Sequence, residues 1–186
     1  FHYGQQLTSV LGEAGKETSV QIKDGQIFSA DLVVYGVGVI PNTELAERAG
    51  LSVNDGVLVD ELLTTCDPDI SAIGDVARYA SPWTESRIRL ESVQNAIDQA
   101  RTLATRLAGK SAVPYAAFPW FWSDQGTLKL QIAGISLGAD VEVVLHGENP
   151  QEMSVLLFKN ERLIAVETCN RSAEHLAARK LIARST

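Results

Sequence analysis

An apolar run that ends in Gly-Asp constrains this chain more than any other feature: residues 65–75 read Thr-Cys-Asp-Pro-Asp-Ile-Ser-Ala-Ile-Gly-Asp. The run from Ile70 to Ile73 predicts a short buried strand. Gly74 removes a side chain where a ligand must pass close, and Asp75 is left as an acceptor beyond the strand end. A ligand rich in hydroxyl groups suits such a carboxylate. Taken alone, a Gly-Asp pair equally fits a strand closed by a capping aspartate, so the neighbouring positions carry the weight.

Upstream, residues 7–11, 19–23 and 26–29 alternate as strands around Gly15-Lys16 and Asp24-Gly25, which predicts a β-meander. Residues 30–38 read as a buried parallel strand running into a glycine turn, with a short helix over 43–49 that Asn42 or Thr43 could cap. Gly36 and Gly38 invite a dinucleotide-fingerprint reading. Pro41 occupies the third glycine position, however, and no helix begins where the phosphates need it. The turn is therefore expected to pass near a ligand held mainly by other segments.

Downstream, residues 56–60 predict a strand, 78–89 an irregular stretch, and a long helix starts near Glu91. Its apolar face is Val93, Ala96, Ile97, Ala100, Leu103, Ala104 and Leu107, with Gly109 as the C-terminal cap. Its first turn, Glu91-Ser92-Val93-Gln94, offers free N–H groups and the positive end of the helix dipole to an anion. Beyond Pro114 come Pro119-Trp120-Phe121-Trp122-Ser123-Asp124-Gln125, strands over 128–132, 141–145, 153–159 and 163–168, and a closing helix over 172–183: a separate α+β unit. Alternation places Trp120 and Trp122 on one side, as an interface anchor or as an indole against a ligand ring.

Composition excludes several classes. The chain has 186 residues, 45% apolar and 21% charged, with net charge −7 and no basic run, which argues against nucleic acid and anionic membranes as partners. No apolar stretch approaches the ~20 residues of a bilayer span and no signal peptide is visible, so a cytoplasmic location is the default expectation. Cys66 and Cys169 show no Cys-x-x-Cys spacing and no His cluster, so both are expected to be packed, reduced thiols, with no metal site. A strand-like run close to a first residue that is not Met reads as a fragment.

The segments 31–42, 65–75, 91–99 and 119–125, in this order and spacing, resemble the C-terminal half of the NADH-dependent ferredoxin reductases of bacterial oxygenase systems, within the FAD-dependent pyridine nucleotide-disulfide oxidoreductase superfamily. The implied fold class is α/β plus α+β, the C-terminal portion of a two-dinucleotide-domain flavoprotein reductase. Residues 1–45 would be a remnant of the NAD-binding domain, 46–113 the second segment of the FAD-binding domain, and 114–186 the C-terminal reductase domain. The resemblance implies electrons passing from NADH or NADPH through FAD to a small iron–sulfur ferredoxin. It casts Asp75, with Gly74, at the ribityl chain and Val93, through its backbone, at the flavin pyrimidine edge, with Ser92 beside it among the cofactor-binding residues. Trp122 would lie near flavin and carrier, Glu91 near the nicotinamide, and Gly36 and Gly38 beside the bound dinucleotide. Arg101 and Arg78, with Arg87 and Arg89 in the same stretch, are the candidates for docking the ferredoxin. None of His2, His146 and His175 carries a Glu at the spacing used by the dithiol reductases, which disfavours disulfide chemistry. Neither G-x-G-x-x-G fingerprint is present, so the alternatives are an inert, dimerising or docking fragment without cofactor, and a flavoprotein of the apoptosis-inducing-factor branch. A homodimer is the other partner considered.

Overall fold

The computed structural model describes residues 2–13, 16–110 and 113–184, and the chain divides into two compact units, residues 1–39 and 40–186. In the first unit, β1 (Leu7–Glu13), β2 (Lys16–Ile22) and β3 (Ile27–Ser29) form the expected antiparallel meander in the order β1-β2-β3. Asp24 Oδ1 accepts the Gln26 N–H at 2.9 Å and holds the second hairpin turn. Gly15 of the first turn lies outside the described residues.

The buried parallel strand expected over 30–38 is absent. Those residues form no ladder, and Val34, Tyr35 and Val37 are 86%, 73% and 79% exposed. A parallel strand is stabilised by neighbours on both sides, and β1–β3 offer this segment no pairing. The apolar run therefore stays extended and open.

The second unit opens with α1 (Glu44–Arg48), then β4 (Val57–Leu58), β5 (Ala77–Ala80) and β6 (Arg87–Ile88). β4 runs parallel to β5 and β6 antiparallel to it, so part of the stretch expected to be irregular is a hairpin. Residues 70–73 are not a strand. One bridge, Thr64 to Ser71, is their only ladder contact among the described residues, and Thr65 organises the loop instead. Its N–H donates to Ile70 O at 2.9 Å, and its buried hydroxyl lies 3.0 Å from both the Asp67 and Ile70 carbonyls. A side chain able to bond locally competes here with the sheet ladder and prevails.

The helix α2 (Val93–Leu107) is correctly placed, but its orientation overturns the expected core face. Val93, Ile97 and Leu107 are 61%, 44% and 74% exposed, while Asn95 and Gln99 are 3% and 0%. Of the expected face, Leu103 packs against the adjoining core, while the most buried α2 side chains meet loop backbone and tyrosine hydroxyls, and buried polar groups need partners. The polar side of α2 supplies them. Arg106 Nη1 donates to Thr64 Oγ1 at 2.6 Å and Nη2 to Ser71 Oγ, tying the last turn of α2 to the loop. The adjoining core is Val59, Leu63, Ala77, Tyr79 and Tyr115.

The four strands expected between residues 128 and 168 are present, and the tryptophan segment joins them as a fifth. β7 (Trp120–Gln125), β8 (Leu128–Gly134), β9 (Val141–His146), β10 (Met153–Lys159) and β11 (Arg162–Cys169) pair antiparallel in the order β7-β8-β11-β10-β9. α3 (Ser172–Arg184) lies on one face, packing Ala178 and Ile182 against Ala133 and Val166. This sheet shares its compact unit with residues 40–113. Trp83 links them, its indole N–H donating to Ala117 O at 3.0 Å and its ring meeting Phe118 edge-on at 5.0 Å. Both cysteines are free, but Cys66 is exposed rather than packed, because its loop turns outward between Thr65 and Asp67. No helix among the described residues is long and apolar enough to cross a membrane.

At the end of β8, Gly134 has φ +83°, and a Cβ there would lie 2.1 Å from Ile164 O. Gly134→Ala is expected to destabilise the fold by about 3 kcal/mol. Gly126→Ala in the β7–β8 turn, where φ is +63° and nothing lies within 4 Å, should cost about 1 kcal/mol. Urea unfolding of the two variants checks the ranking.

Candidate functional site

Gly74 opens a 3-10 turn, Gly74–Val76, at φ +74°, a conformation L side chains rarely adopt. A Cβ at Gly74 would touch Ala96 at an ordinary 3.8 Å, so the backbone angle rather than crowding calls for glycine. The turn sits against the first part of α2: the Gly74 N–H donates to Gln99 Oε1 at 2.7 Å in a fully buried bond. The Ala77 N–H closes the turn onto Gly74 O. Asp75 is exposed, and its carboxylate has no partner among the described residues. Its carbonyl accepts from Arg89 Nη1 at 3.1 Å.

The N-terminal end of α2 adds donors. Ser92 is the N-cap, its hydroxyl accepting the Asn95 N–H at 3.1 Å, and the Ala96 N–H donates to Ser92 O at 3.1 Å. No acceptor for the Val93 and Gln94 N–H groups is found among the described residues. Two amides at the positive end of a fifteen-residue helix thus stay free for an anionic or carbonyl-bearing ligand. Three polar anchors seat this end of the helix. Tyr79 and Tyr115 both donate their hydroxyls to Asn95 Oδ1, at 3.3 and 3.1 Å, and Asn95 Nδ2 donates to Leu90 O at 3.1 Å. Burial pushes the Tyr79 phenol up to about 12, and burial also raises Tyr115.

Glu91 lies just before the cap rather than in the helix, and it is not free. Arg89 Nη1 donates to Glu91 Oε1 at 2.6 Å, while Arg89 Nη2 pairs with Asp55 Oδ1 at 3.2 Å. The Glu91 carboxylate, with Asp55, keeps the Arg89 guanidinium above its ordinary range. Arg89 is thus tied into the scaffold of the site. Arg78 is similarly engaged, by Asp55 Oδ2 at 3.2 Å and Asn54 O at 3.1 Å, and Arg87 Nη1 donates to Val59 O at 2.5 Å. Arg101 stands apart with a 77% exposed side chain and a single i,i+3 pair to Asp98, a geometry that holds it weakly.

Trp122 is 37% exposed at the edge strand β7, stacked on Trp120 with centroids 5.2 Å apart and planes at 27°. The two indoles share a face, as alternation requires. The Arg179 guanidinium sits 4.4 Å above Trp120, and buried His175 lies 5.9 Å from it, with its pKa lowered by burial first and by Arg179 and Lys129 next. None of the Trp122 contacts reaches the Asp75 turn. Gly36 and Gly38 belong to the first unit, where a Cβ would meet nothing within 4 Å at either. A cleft of about 520 Å³ near Trp83, Leu137 and Lys159 includes none of the expected site residues.

Asn95, Gln99 and the clamp role of Arg89 were missed by sequence reasoning. Asn95 and Gln99 stand one turn apart on α2, and that i,i+4 polar pair opposite an apolar stripe was the available signal. An exposed carboxylate in a glycine turn, beside free helix N-terminal amides, fits a ligand with hydroxyls at one end and an electron-rich ring edge at the other. FAD has both, so the residues present fit part of a flavin site.

Comparison with known proteins places the chain in a family. Residues 1–100 match the pyridine nucleotide-disulphide oxidoreductase family and residues 120–186 the reductase C-terminal family. The chain belongs to the pyridine nucleotide-disulphide oxidoreductases. Rhodocoxin reductase of Rhodococcus erythropolis is 48% identical over 91% of this chain and 39% of its own length. Putidaredoxin reductase of Pseudomonas putida is 43% identical over 90% and 39%. Among solved structures, a ferredoxin reductase from Rhodopseudomonas palustris superposes with a TM-score of 0.88 at 47% identity, covering 96% of this chain and 44% of that one. The reductase in a covalent putidaredoxin reductase–putidaredoxin complex gives 0.87 at 40% identity, over 96% and 43%. The chain spans about two-fifths of the length of the curated relatives it matches.

Asn95→Leu leaves two buried hydroxyls without their acceptor and is expected to cost about 2–4 kcal/mol. The raised phenols also set a sign. Neutral Tyr79 is favoured in the folded state, so its contribution is complete below pH 10 and is lost as pH rises towards 12. Denaturant melts should show a smaller loss over that window in Tyr79→Phe than in the parent protein.

Proposed function

We propose that these residues form the C-terminal part of an NAD(P)H-dependent ferredoxin reductase, carrying electrons from NAD(P)H through FAD to a small iron–sulfur protein. The observation that carries the reading is the unpartnered Asp75 carboxylate beside the free Val93 and Gln94 amides. The names of rhodocoxin reductase and putidaredoxin reductase support it, and so does the putidaredoxin-bound relative. FAD supplies the conversion of a two-electron hydride donor to one-electron delivery.

In this reading residues 1–45 belong to the NAD-binding domain, 46–113 to the FAD-binding domain and 114–186 to the C-terminal domain. Asp75 accepts from ribityl hydroxyls with Gly74 shaping the turn, and Val93 N–H meets the pyrimidine edge with Ser92 as its cap. Glu91 borders the nicotinamide, Trp122 lies between flavin and carrier, and Gly36 and Gly38 line the dinucleotide path. Arg101, the least constrained of the arginines considered, docks an acidic carrier by steering, while Arg78 contributes through its field because Asp55 holds its fork. The protein works in the cytoplasm, and a homodimer is the further partner to be read from its hydrodynamic size. A second reading, a docking fragment without cofactor of its own, is favoured by one observation: the exposed apolar run from Leu32 to Ile40.

In the full-length protein carrying these residues, Asp75→Ala is expected to weaken FAD about 10- to 100-fold, the worth of a charge-assisted hydrogen bond. Fluorescence titration of the apoprotein measures it, and equal affinity for both proteins would contradict the assignment. Arg101→Glu should slow reduction of the iron–sulfur carrier more than reduction of a small dye, with a steep salt dependence. Equal slowing would remove Arg101 from the dock.

A further inference from the structure

We infer that Gln99 and Arg89 are positioning residues that grip the Gly74–Asp75 turn from both sides and so aim the Asp75 carboxylate; the inference rests on the reading of Asp75 as a flavin ligand. The turn has few backbone groups by which it can be held, and the two side chains take those at its ends. Gln99 Oε1 accepts the Gly74 N–H at 2.7 Å, and Arg89 Nη1 donates to Asp75 O at 3.1 Å. Gly74 O is already used within the turn by the Ala77 N–H. With these groups fixed, the Asp75 side chain is held in place and open to a ligand.

Gln99 is a costly choice for a site with no accessible surface. A buried amide is tolerated when its polar atoms are bonded, yet the Gln99 Nε2 is buried without a partner among the described residues. Leucine would fill the same volume without that penalty, but it could not accept the Gly74 N–H. The acceptor oxygen is therefore what the position requires. Gln99 also lies one turn beyond Asn95, so the residue that holds the ligand turn sits on the helix face whose depth Tyr79 and Tyr115 set through Asn95. Turn and helix N-terminus are thereby placed relative to each other.

Arg89 works from the opposite side. Its side chain is 11% exposed, and its fork reaches Asp55, Glu91 and the Asp75 carbonyl together. A planar guanidinium spans three such acceptors, whereas a lysine ammonium, a compact point charge on a flexible stem, does not fix their relative orientation. The residue proposed for the ribityl chain and the one proposed for the nicotinamide are thus held by one cation.

The test is a double-mutant cycle in the full-length apoprotein, with FAD affinity read by fluorescence titration and the setting of bound flavin by visible circular dichroism. Gln99→Leu is expected to weaken FAD about tenfold in the parent and less than about twofold in an Asp75→Ala background, since a positioning residue acts through the group it positions. An unchanged affinity in Gln99→Leu, or an equal loss in both backgrounds, would overturn the inference. If Gln99→Leu does not fold, Arg89→Lys asks the same question from the carbonyl side by the same two-background criterion. A parent protein that binds no FAD would sink the functional reading itself, whereas an FAD-binding parent indifferent to both changes would sink this inference alone.

Discussion

A helix whose most deeply buried side chains are polar takes its register from hydrogen bonds, and that constraint on α2 organises the residues around the site. Asn95, Gln99 and Arg106 point inward and meet tyrosine hydroxyls, a glycine N–H and loop hydroxyls in turn. Apolar contacts would allow the helix to slide by fractions of an ångström at little cost, because the hydrophobic effect is not directional. Hydrogen bonds in a dry interior do not allow it. The register of α2, and with it the position of its free N-terminal amides, follows from those three side chains.

Around that helix the charges form one connected set. Arg89 joins Asp55 and Glu91, Arg78 shares Asp55, and both arginines come from the β5–β6 hairpin or its exit. This set offsets the cost of holding the acidic groups Asp55 and Glu91 close together. Asp75 is left out of it, with no counter-ion, and is thereby available to a ligand hydroxyl. The second aromatic feature, Trp120 and Trp122, is arranged by different means: sheet alternation puts the two rings on one face, and Arg179 on α3 covers the first, leaving the second at the edge.

Much of this was legible in the sequence, for stated physical reasons. The meander, α1, α2 and four of the five strands of the C-terminal sheet follow from period-2 or period-3.6 patterns flanked by turn residues. Gly109 as a C-terminal signal was visible, as was the shared face of Trp120 and Trp122, whereas Glu91 and Ser92, expected in the first turn of the helix, precede it, with Ser92 as the N-cap. What failed were inferences from apolarity to burial. Residues 30–38 and the Val93–Ile97–Leu107 stripe are apolar yet exposed, since hydrophobicity records what a segment can bury and not whether its neighbour is present. The expected strand at 70–73 failed because Thr65 satisfies the backbone locally. The ion pair of Arg89 with Asp55 is announced by no sequence pattern, because Asp55 lies on a distant loop.

The central claim is that the Asp75 turn and the N-terminal end of α2 form one side of a flavin site. A crystal structure of the full-length protein with FAD tests it most directly. The account predicts an Asp75 carboxylate oxygen within hydrogen-bonding distance of a ribityl hydroxyl and the Val93 N–H facing the pyrimidine edge of the ring. A bound flavin whose ribityl chain and ring edge touch neither group would contradict it.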